Sequence, residues 1–486
     1  MTSDEQILLD KMNGNFKKDA IFVLDQGKEY SYDLLYQYIK YYNMVFEATK
    51  VKKVLISLPQ GFLAYSAVLG AFFSQVTFCT IKFDDPIERK IYYYNKFKPD
   101  IIICNQEDSY ADLYSNKLLI GTEVLQICRP YCLYEAKQNH AYVMFTSGTT
   151  GMPKAVCIKR NAVCKSILWM LNRFELSEND ICSQYSNMSF DMSLIDILLA
   201  STAGATLIPF PTLTEKLFPE KLIKKYEISF WHSVPTVIDI LQTRGALKNS
   251  ILKSVKKCKI GGDRIYINQM NTIFDILPNL QAFITYGTTE ITFICTCIEL
   301  NSKNYLEYGK NNIAIGYPVD GWNVDLINIQ DGLGQIVVSG PNIGDGYLGN
   351  DDDKFGYIMR EGHNERAFFT GDFGCYIDGC LYYSGRKDQQ VKLNGNRINL
   401  TEIDAIVRGL NGCTSSLTLF LDKKIILFFT GDSLAIEDVR DLLANRFPKT
   451  YMPKRIIKLE DMPYNNSGKI DRKKLAEICG KQEKVR

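Results

Sequence analysis

"AYVMFTSGTTGMPKAV", Ala141–Val156, opens with five apolar residues and breaks abruptly into six small or hydroxylated ones before Met-Pro-Lys. An apolar run of that length reads as a buried strand, and the Gly, Thr and Ser that follow read as a loop with accessible backbone N–H groups. Comparable strand-like runs flank it on both sides: "KVLISL" at Lys53–Leu58, "DIIIC" at Asp100–Cys104, "GATLIPF" at Gly204–Phe210, "EISFWHSV" at Glu227–Val234 and "LQAFITY" at Leu280–Tyr286. Amphipathic helical spans at Ser66–Ser74, Ile195–Thr202 and Pro219–Tyr226 lie between them. This alternation predicts an α/β fold, a large N-terminal domain with doubly wound, mostly parallel sheets. Gly334–Tyr347 and Gly374–Ser384 alternate apolar and polar residues between glycine-rich turns, which predicts a small antiparallel β-lobe. From about Lys387 a helix, a hairpin and a second helix predict a separate α+β domain. The expected division is a core of residues 1–387 and a C-terminal domain of residues 388–486.

The whole chain has 486 residues, 46% hydrophobic and 23% charged, enough for two or more domains with a large core. Lys and Arg number 57 against 55 Asp and Glu, so no basic footprint suggests nucleic acid and no polybasic run suggests membrane binding. The acidic start "MTSDEQILLDKMNG" and the lack of a long apolar window predict a cytoplasmic protein without membrane insertion. Fourteen cysteines show no CxxC, and with three histidines no zinc spacing exists; reduced, mostly buried thiols are expected.

Gly148 and Gly151 let the main chain curl around a ligand while Thr146, Ser147, Thr149 and Thr150 add hydroxyls. Such a loop suits phosphate oxygens; a polar surface turn is the other reading. It is not a Walker A loop, because Lys154 follows Pro153 and precedes Ala155. "YGTTE", Tyr286–Glu290, ends a predicted parallel strand, where open α/β sheets place ligands. Its ring, two hydroxyls and carboxylate suit a nucleotide with a hard cation. "FFTGD" sets Asp372 at a turn, suited to ribose hydroxyls or to the turn alone, and "YNNSGKIDRKKL" carries Lys469 in a glycine-containing loop or on a solvated face.

In their order and spacing, "FTSGTTGMPK", "YGTTE", "TGD", "GRKDQQVKLNGNRINLTEID" and "SGKIDR" resemble the adenylate-forming superfamily of acyl-CoA synthetases, luciferases and nonribosomal peptide synthetase adenylation domains. The likeness runs over nearly the whole chain, from Tyr30 to Ser467 and beyond. It implies ATP and Mg²⁺ as cofactors and a two-step reaction. A carboxylate attacks the α-phosphorus of ATP, pyrophosphate leaves, and a thiol then displaces AMP. By resemblance, Glu290 holds Mg²⁺, Thr146, Ser147, Gly148, Thr149, Thr150, Gly151 and Lys154 hold the pyrophosphate oxygens, and Thr289 touches the α-phosphate. Asp372 and Arg386 hold the ribose, Tyr286 the adenine, and Lys469 bridges the substrate carboxylate and the sugar-phosphate oxygens. The C-terminal domain is implied to be mobile, pivoting at Asp388, and Gly395 to line the thiol channel.

"NMSFDMSLIDIL", Asn187–Leu199, matches the Phe-Asp-x-Ser element of amino-acid-activating members, in which the aspartate, here Asp191, pairs with the substrate ammonium. A helix N-terminal acid is the alternative reading. The chain looks most similar to stand-alone ligases that load D-alanine onto a carrier protein and to peptide-synthetase adenylation domains, although Gly and Asp in "GGD" stand where a D-alanine ligase is expected to carry Cys and Glu. Carried over by position, Met192, Ile195, His232, Lys259, Gly261, Thr285, Phe293 and Ile294 surround the acyl pocket. Lys259 and His232 suggest an acidic or strongly polar substrate side chain if they face that pocket; otherwise Lys259 points to solvent or pairs with Asp263. The expected function is amino acid adenylation followed by thioester transfer to a separate phosphopantetheinylated carrier protein, as in nonribosomal peptide synthesis. An acyl-CoA ligase for a non-amino acid is the alternative. No carrier domain is expected before the end at Arg486, and Ser433 in "TGDSL" reads as a helix N-cap.

Overall fold

The structure, a computed structural model, describes residues 2–16, 19–105, 117–120, 123–127, 140–146, 153–310, 312–349, 354–386, 390–393, 396–422, 424–446, 452–465 and 468–483. The α/β architecture is as the alternation predicts. Two large sheets form the body. One has nine strands among the described residues, in the spatial order Tyr317–Pro318, Thr296–Leu300, Gln281–Tyr286, Lys257–Gly261, Phe230–Ser233, Ile181–Gln184, Thr206–Pro209, Ile21–Asp25 and Lys28–Ser31. Its five pairs from Gln281–Tyr286 across to Ile21–Asp25 are parallel. The other has eight, with Thr77–Thr80, Lys53–Ser57 and Ile101–Asn105 parallel at its centre and His140–Thr146 paired antiparallel to Lys154–Lys159. These central strands are buried on both faces because both faces are covered. Helix Phe62–Phe73 is buried almost all round, as an all-apolar helix between layers must be.

In the nine-stranded sheet, Ile181–Gln184 pairs with the next strand in sequence, Thr206–Pro209, on one side and with Phe230–Ser233 on the other. The chain therefore reverses direction across the sheet at this strand, which opens a crevice at the carboxyl ends. Helix Asp191–Ala203 starts there.

The alternating segments form a separate five-stranded antiparallel sheet of Asn323–Gln330, Leu333–Ser339, Phe355–Arg360, His363–Ile377 and Cys380–Arg386. The C-terminal stretch builds its own sheet. The expected hairpin Ser415–Leu421 and Lys424–Thr430 is joined in parallel by Arg455–Leu459 across helix Ile436–Arg446. Its apolar clusters, around Ile403, Val439 and Leu443 and around Phe428 and Leu475, are distinct from those of the body. Ser433 is not the N-cap of helix Ile436–Arg446: Ala435 stands before that helix and donates its backbone N–H to Asp438. Twelve described cysteines are free, all buried except the half-buried Cys375.

Candidate active site

The crevice collects most of the residues singled out in the sequence. Asp191 is the first residue of its helix, so the helix N-terminus favours its negative charge. Burial pushes its carboxyl up to about 6; nearby Glu290 adds to the rise, while a hydrogen bond from the Thr289 hydroxyl and the charge of Lys259 oppose it. Four groups from three separate stretches of chain thus share one electrostatic site.

Glu290 lies in the short helical turn Thr289–Ile291 and is 9% exposed. Its Oε1 accepts a hydrogen bond from the Tyr347 hydroxyl at 2.8 Å, and the Lys154 ammonium lies 5.1 Å from the centre of the Tyr347 ring. Thr288 Oγ1 is buried with no hydrogen-bond partner among the described residues. The turn is possible because residue 287 is Gly: a Cβ there would stand 2.1 Å from the Phe293 carbonyl oxygen. Thr292 and Phe293 both adopt positive φ, at 55° and 78°, so the backbone just after Glu290 is held in a costly conformation. Thr146 faces Lys154 across an antiparallel pair, with a long hydrogen bond of 3.4 Å from Thr146 Oγ1 to the Lys154 carbonyl. The two residues therefore close the base of the loop whose members Ser147, Gly148, Thr149, Thr150 and Gly151 lie outside the described residues.

At the neighbouring corner the Tyr286 hydroxyl donates to Asp372 at 2.7 Å, and burial together with Asp372 raises that phenol well above its ordinary value. Asp372 pairs in register with Arg386, whose Nε is 3.8 Å from its carboxylate. Asp372 is 5% exposed, and its N–H donates to Thr370 Oγ1 at 3.0 Å. A rigid acceptor pointing into a crevice is thereby assembled from two strands of the β-lobe and one of the body.

Deeper in the crevice, Lys259 and His232 stand opposite each other on adjacent parallel strands. Lys259 is 2% exposed and its Nζ lies 2.8 Å from His232 Nε2; His232 Nδ1 in turn is hydrogen-bonded to Asp196. Lys259 therefore faces inward, and neither solvent nor Asp263 takes its charge; Asp263 accepts the Arg264 backbone N–H. Burial lowers the Lys259 ammonium to about 8, against the opposing pull of Asp196 and Asp191. Burial likewise holds His232 well below and Asp196 well above their ordinary values. Gly261 lies against Thr285, where a Cβ would come within 2.6 Å of its hydroxyl, and Met192 lies against Gly262. Ile195 and Phe293 are packed into the core, Phe293 stacking on Tyr142 at 6.1 Å. Ile294 lines a different cleft of about 350 Å³ with Lys165, Trp169 and Trp322.

The Lys469 loop arrives from the C-terminal segment. Asn465 N–H donates to the Lys469 carbonyl at 2.7 Å and Asn465 Oδ1 accepts from Lys469 N–H at 3.1 Å, forming a tight turn. Thr236 Oγ1 donates to the Gly468 carbonyl, and Gly468 sits against Val234 and Tyr185 at the carboxyl ends of the sheet strands. Lys469 lines a cavity of about 390 Å³ with Asp263, Arg264 and Tyr383. A buried ion pair stands beside it: Arg408 Nη1 reaches Asp239 at 3.0 Å, and Gln269 donates to the same carboxylate at 2.8 Å. Asp388 and Gly395 lie outside the described residues.

Asp196, Tyr347, Thr288 and the Asp239–Arg408 pair were not among the residues expected. Thr288 adjoins Thr289 in "YGTTE" and was open to inspection, but the others are single residues in unremarkable contexts. Among the described residues no three His, Cys, Asp or Glu side chains gather to hold a metal ion. One buried carboxylate with an orphaned hydroxyl two residues away fits a cation held partly by phosphate oxygens, the usual manner for Mg²⁺. No helix among the described residues is long and apolar enough to cross a membrane.

The family model described as AMP-binding enzyme matches residues 10–348. An anguibactin system regulator of Vibrio anguillarum is 27% identical over 463 residues, covering 89% of this chain and 43% of that protein. The chain thus spans less than half the length of that relative. A D-alanine--D-alanyl carrier protein ligase of Staphylococcus haemolyticus is 25% identical over 467 residues, covering 90% and 94%. In fold, the crystal structure of IdnL7 superposes with a TM-score of 0.84 at 21% identity over 98% of this chain and 99% of that one. The chain belongs to the AMP-binding enzyme family.

Proposed function

We propose that this member of the AMP-binding enzyme family is an amino acid adenylating ligase that passes its aminoacyl group to a separate phosphopantetheinylated carrier protein. The observation that carries the reading is the seating of the Lys469 loop on the mouth of the crevice that holds Asp191, Glu290 and Asp372, through Thr236 and Val234. On this reading Asp191 takes the substrate ammonium, and the raised carboxyl is returned to its ionised form by that cation. Asp372 and Arg386 hold the ribose, with Tyr286 beside the adenine. Lys154, Thr146 and the loop 147–151 hold the departing pyrophosphate. Glu290, fixed by Tyr347, and the oxygens of ATP would hold Mg²⁺, which supplies charge neutralisation between the two anions that must meet. Lys469 follows the charge as it passes from carboxylate to phosphate oxygens. No general base is required, because the nucleophile is already ionised; the chain contributes positioning and preorganised charge. The boundary near 387, with pivoting of residues 388–486 about Asp388, would let the thiol approach past Gly395 for the second step.

Amino-acid-dependent exchange of labelled pyrophosphate into ATP tests this. An amino acid should drive exchange, Lys469→Ala should reduce it by about 10² to 10³, and Asp191→Ala should abolish it for amino acids. The coupling of Lys259 to Asp191 supports a second reading, because Lys259 can supply the cation that Asp191 otherwise takes from the substrate. The substrate would then be a carboxylic acid without an amino group and the thiol that of coenzyme A. Exchange driven by plain acids alone, indifferent to Asp191→Ala, would establish that reading instead.

A further inference from the structure

Three buried polar residues at the back of the crevice are not used by the adenylation chemistry. Asp196 comes from the helix over the sheet, while His232 and Lys259 come from two adjacent strands. His232 Nδ1 is committed to Asp196, so Nε2 carries the lone pair and accepts from the Lys259 ammonium at 2.8 Å. An ammonium has three N–H donors, and no other hydrogen bond of Lys259 occurs among the described residues. Lys259 is 2% exposed, so bulk solvent offers little to the remaining two. Buried charged donors without acceptors are costly, and a chain that builds two further residues to aim one is presenting it to something. Side chains alternate along a strand, so Lys259 shares its sheet face with Gly261, and across the next strand with Thr285. The Asp191 helix lies over this part of the sheet, with Asp196 bonded to His232 and Met192 against Gly262, and Asp191 feels the charge of Lys259. Asp191 thus shares its surroundings with Lys259 as well as with Thr289 and Glu290, and on the reading above this is where the acyl group is held.

We propose that Lys259, oriented by His232 and Asp196, is the specificity-determining donor of the acyl pocket, and that the substrate bears a side-chain oxygen acceptor, a carboxylate or a carboxamide. This rests on the pocket assignment made above, but not on the presence of an amino group. His232 and Asp196 are positioning residues: the first holds the ammonium, the second fixes the tautomer of the first.

The experiment is pyrophosphate exchange by the full chain with matched acids that differ only at the far end: aspartate, asparagine and 2-aminobutyrate; glutamate, glutamine and norvaline; both enantiomers; and the same acids without the amino group. Within the accepted series, the member with an oxygen acceptor should exceed its apolar partner in kcat/KM on the order of 10²-fold or more. The carboxylate and carboxamide arms identify which acceptor is used. Lys259→Met should erase most of that ratio, chiefly by raising KM for the acceptor-bearing member. Asp196→Asn, which keeps an oxygen for Nδ1, should retain more of the ratio than Asp196→Ala. An apolar member used as well as its acceptor-bearing partner by the unaltered protein overturns the proposal, and this comparison needs no variant to fold. If only the acids without an amino group are used but glutarate still exceeds valerate, the pocket inference stands and the amino acid reading fails.

Discussion

Replacing Arg408 by Met should disable adenylation without touching any residue that meets ATP. Arg408 is 3% exposed and Asp239 1% exposed, and their ion pair joins helix Leu400–Arg408 of the C-terminal segment to helix Thr236–Thr243 of the body. Removing one partner of such a pair strands a buried carboxylate and costs about 3 to 5 kcal/mol. Here Gln269 still donates to Asp239 at 2.8 Å, which places the cost at the lower end, about 3 kcal/mol. The cost falls only on the arrangement in which the two segments meet, which is the one that seats Gly468 on Thr236. With the two arrangements near balance in the parent, as a domain that must swing between them requires, pyrophosphate exchange should fall on the order of 10²-fold, by the ratio of about 1.4 kcal/mol per decade. Burial already raises the Asp239 carboxyl against the opposing effect of Arg408. Without the guanidinium it rises further, so the docked arrangement of the variant is favoured at low pH, where the carboxyl is protonated, and lost as pH rises through its folded value. The variant's activity should thus recover toward acid pH relative to the unaltered protein. The paired variant Asp239→Leu/Arg408→Met removes both charges and should restore most of the exchange. Thermal unfolding measured alongside separates docking from collapse of the body. Exchange within two-fold of the parent in Arg408→Met, or no recovery in the paired variant, refutes the reasoning.

The Lys259 ammonium, at about 8 with Asp196, Asp191 and Cys297 facing it, should lose its charge as pH rises through that value, so KM for an acceptor-bearing substrate should climb above about pH 8. Because its folded value lies below the ordinary 10.5, the ligand-free protein should gain stability over that same interval, the opposite sign, readable by urea titration at two pH values. Tyr347→Phe removes the hydroxyl that donates to Glu290 Oε1 at 2.8 Å and should raise the Mg²⁺ concentration for half-maximal exchange by about two- to ten-fold with kcat little changed at saturation. Asp372→Ala leaves the buried Tyr286 hydroxyl without its acceptor and removes the ribose contact; KM for ATP should rise by about 10- to 100-fold, measured by initial rates.

Much of the fold was readable because several parallel strands are continuous apolar runs, a pattern set by both faces being covered; the helices read as amphipathic from Ser66 and Ile195 proved instead to be buried almost all round, because they lie between layers. Pro219–Tyr226 forms the helix its periodicity predicts, and Leu280–Tyr286 forms the strand that delivers Tyr286 and Glu290 to the carboxyl edge. The site was legible where its residues are neighbours in sequence, as in "YGTTE", since a strand end and a turn place such groups together wherever the chain runs. It was not legible at Ser433, because the helix begins three residues later, at Ile436, and the Ala435 N–H before it is satisfied by Asp438 from within the helix, a start that local pattern leaves open.

By itself, then, the sequence determined the layered α/β class, the strand-end loops and the charges that an AMP-binding enzyme carries at them, because these depend on local periodicity and short-range turn chemistry. What only the tertiary structure decided is where Lys259 points. Its partners, His232 and Asp196, lie 27 and 63 positions away in the chain, and only the parallel register of two strands and the packing of a helix across them bring the three together. An isolated lysine between "KKC" and "IGGD" has the same composition whether it faces water or a sealed pocket; burial beside a histidine whose other nitrogen is already taken turns it into a directed donor.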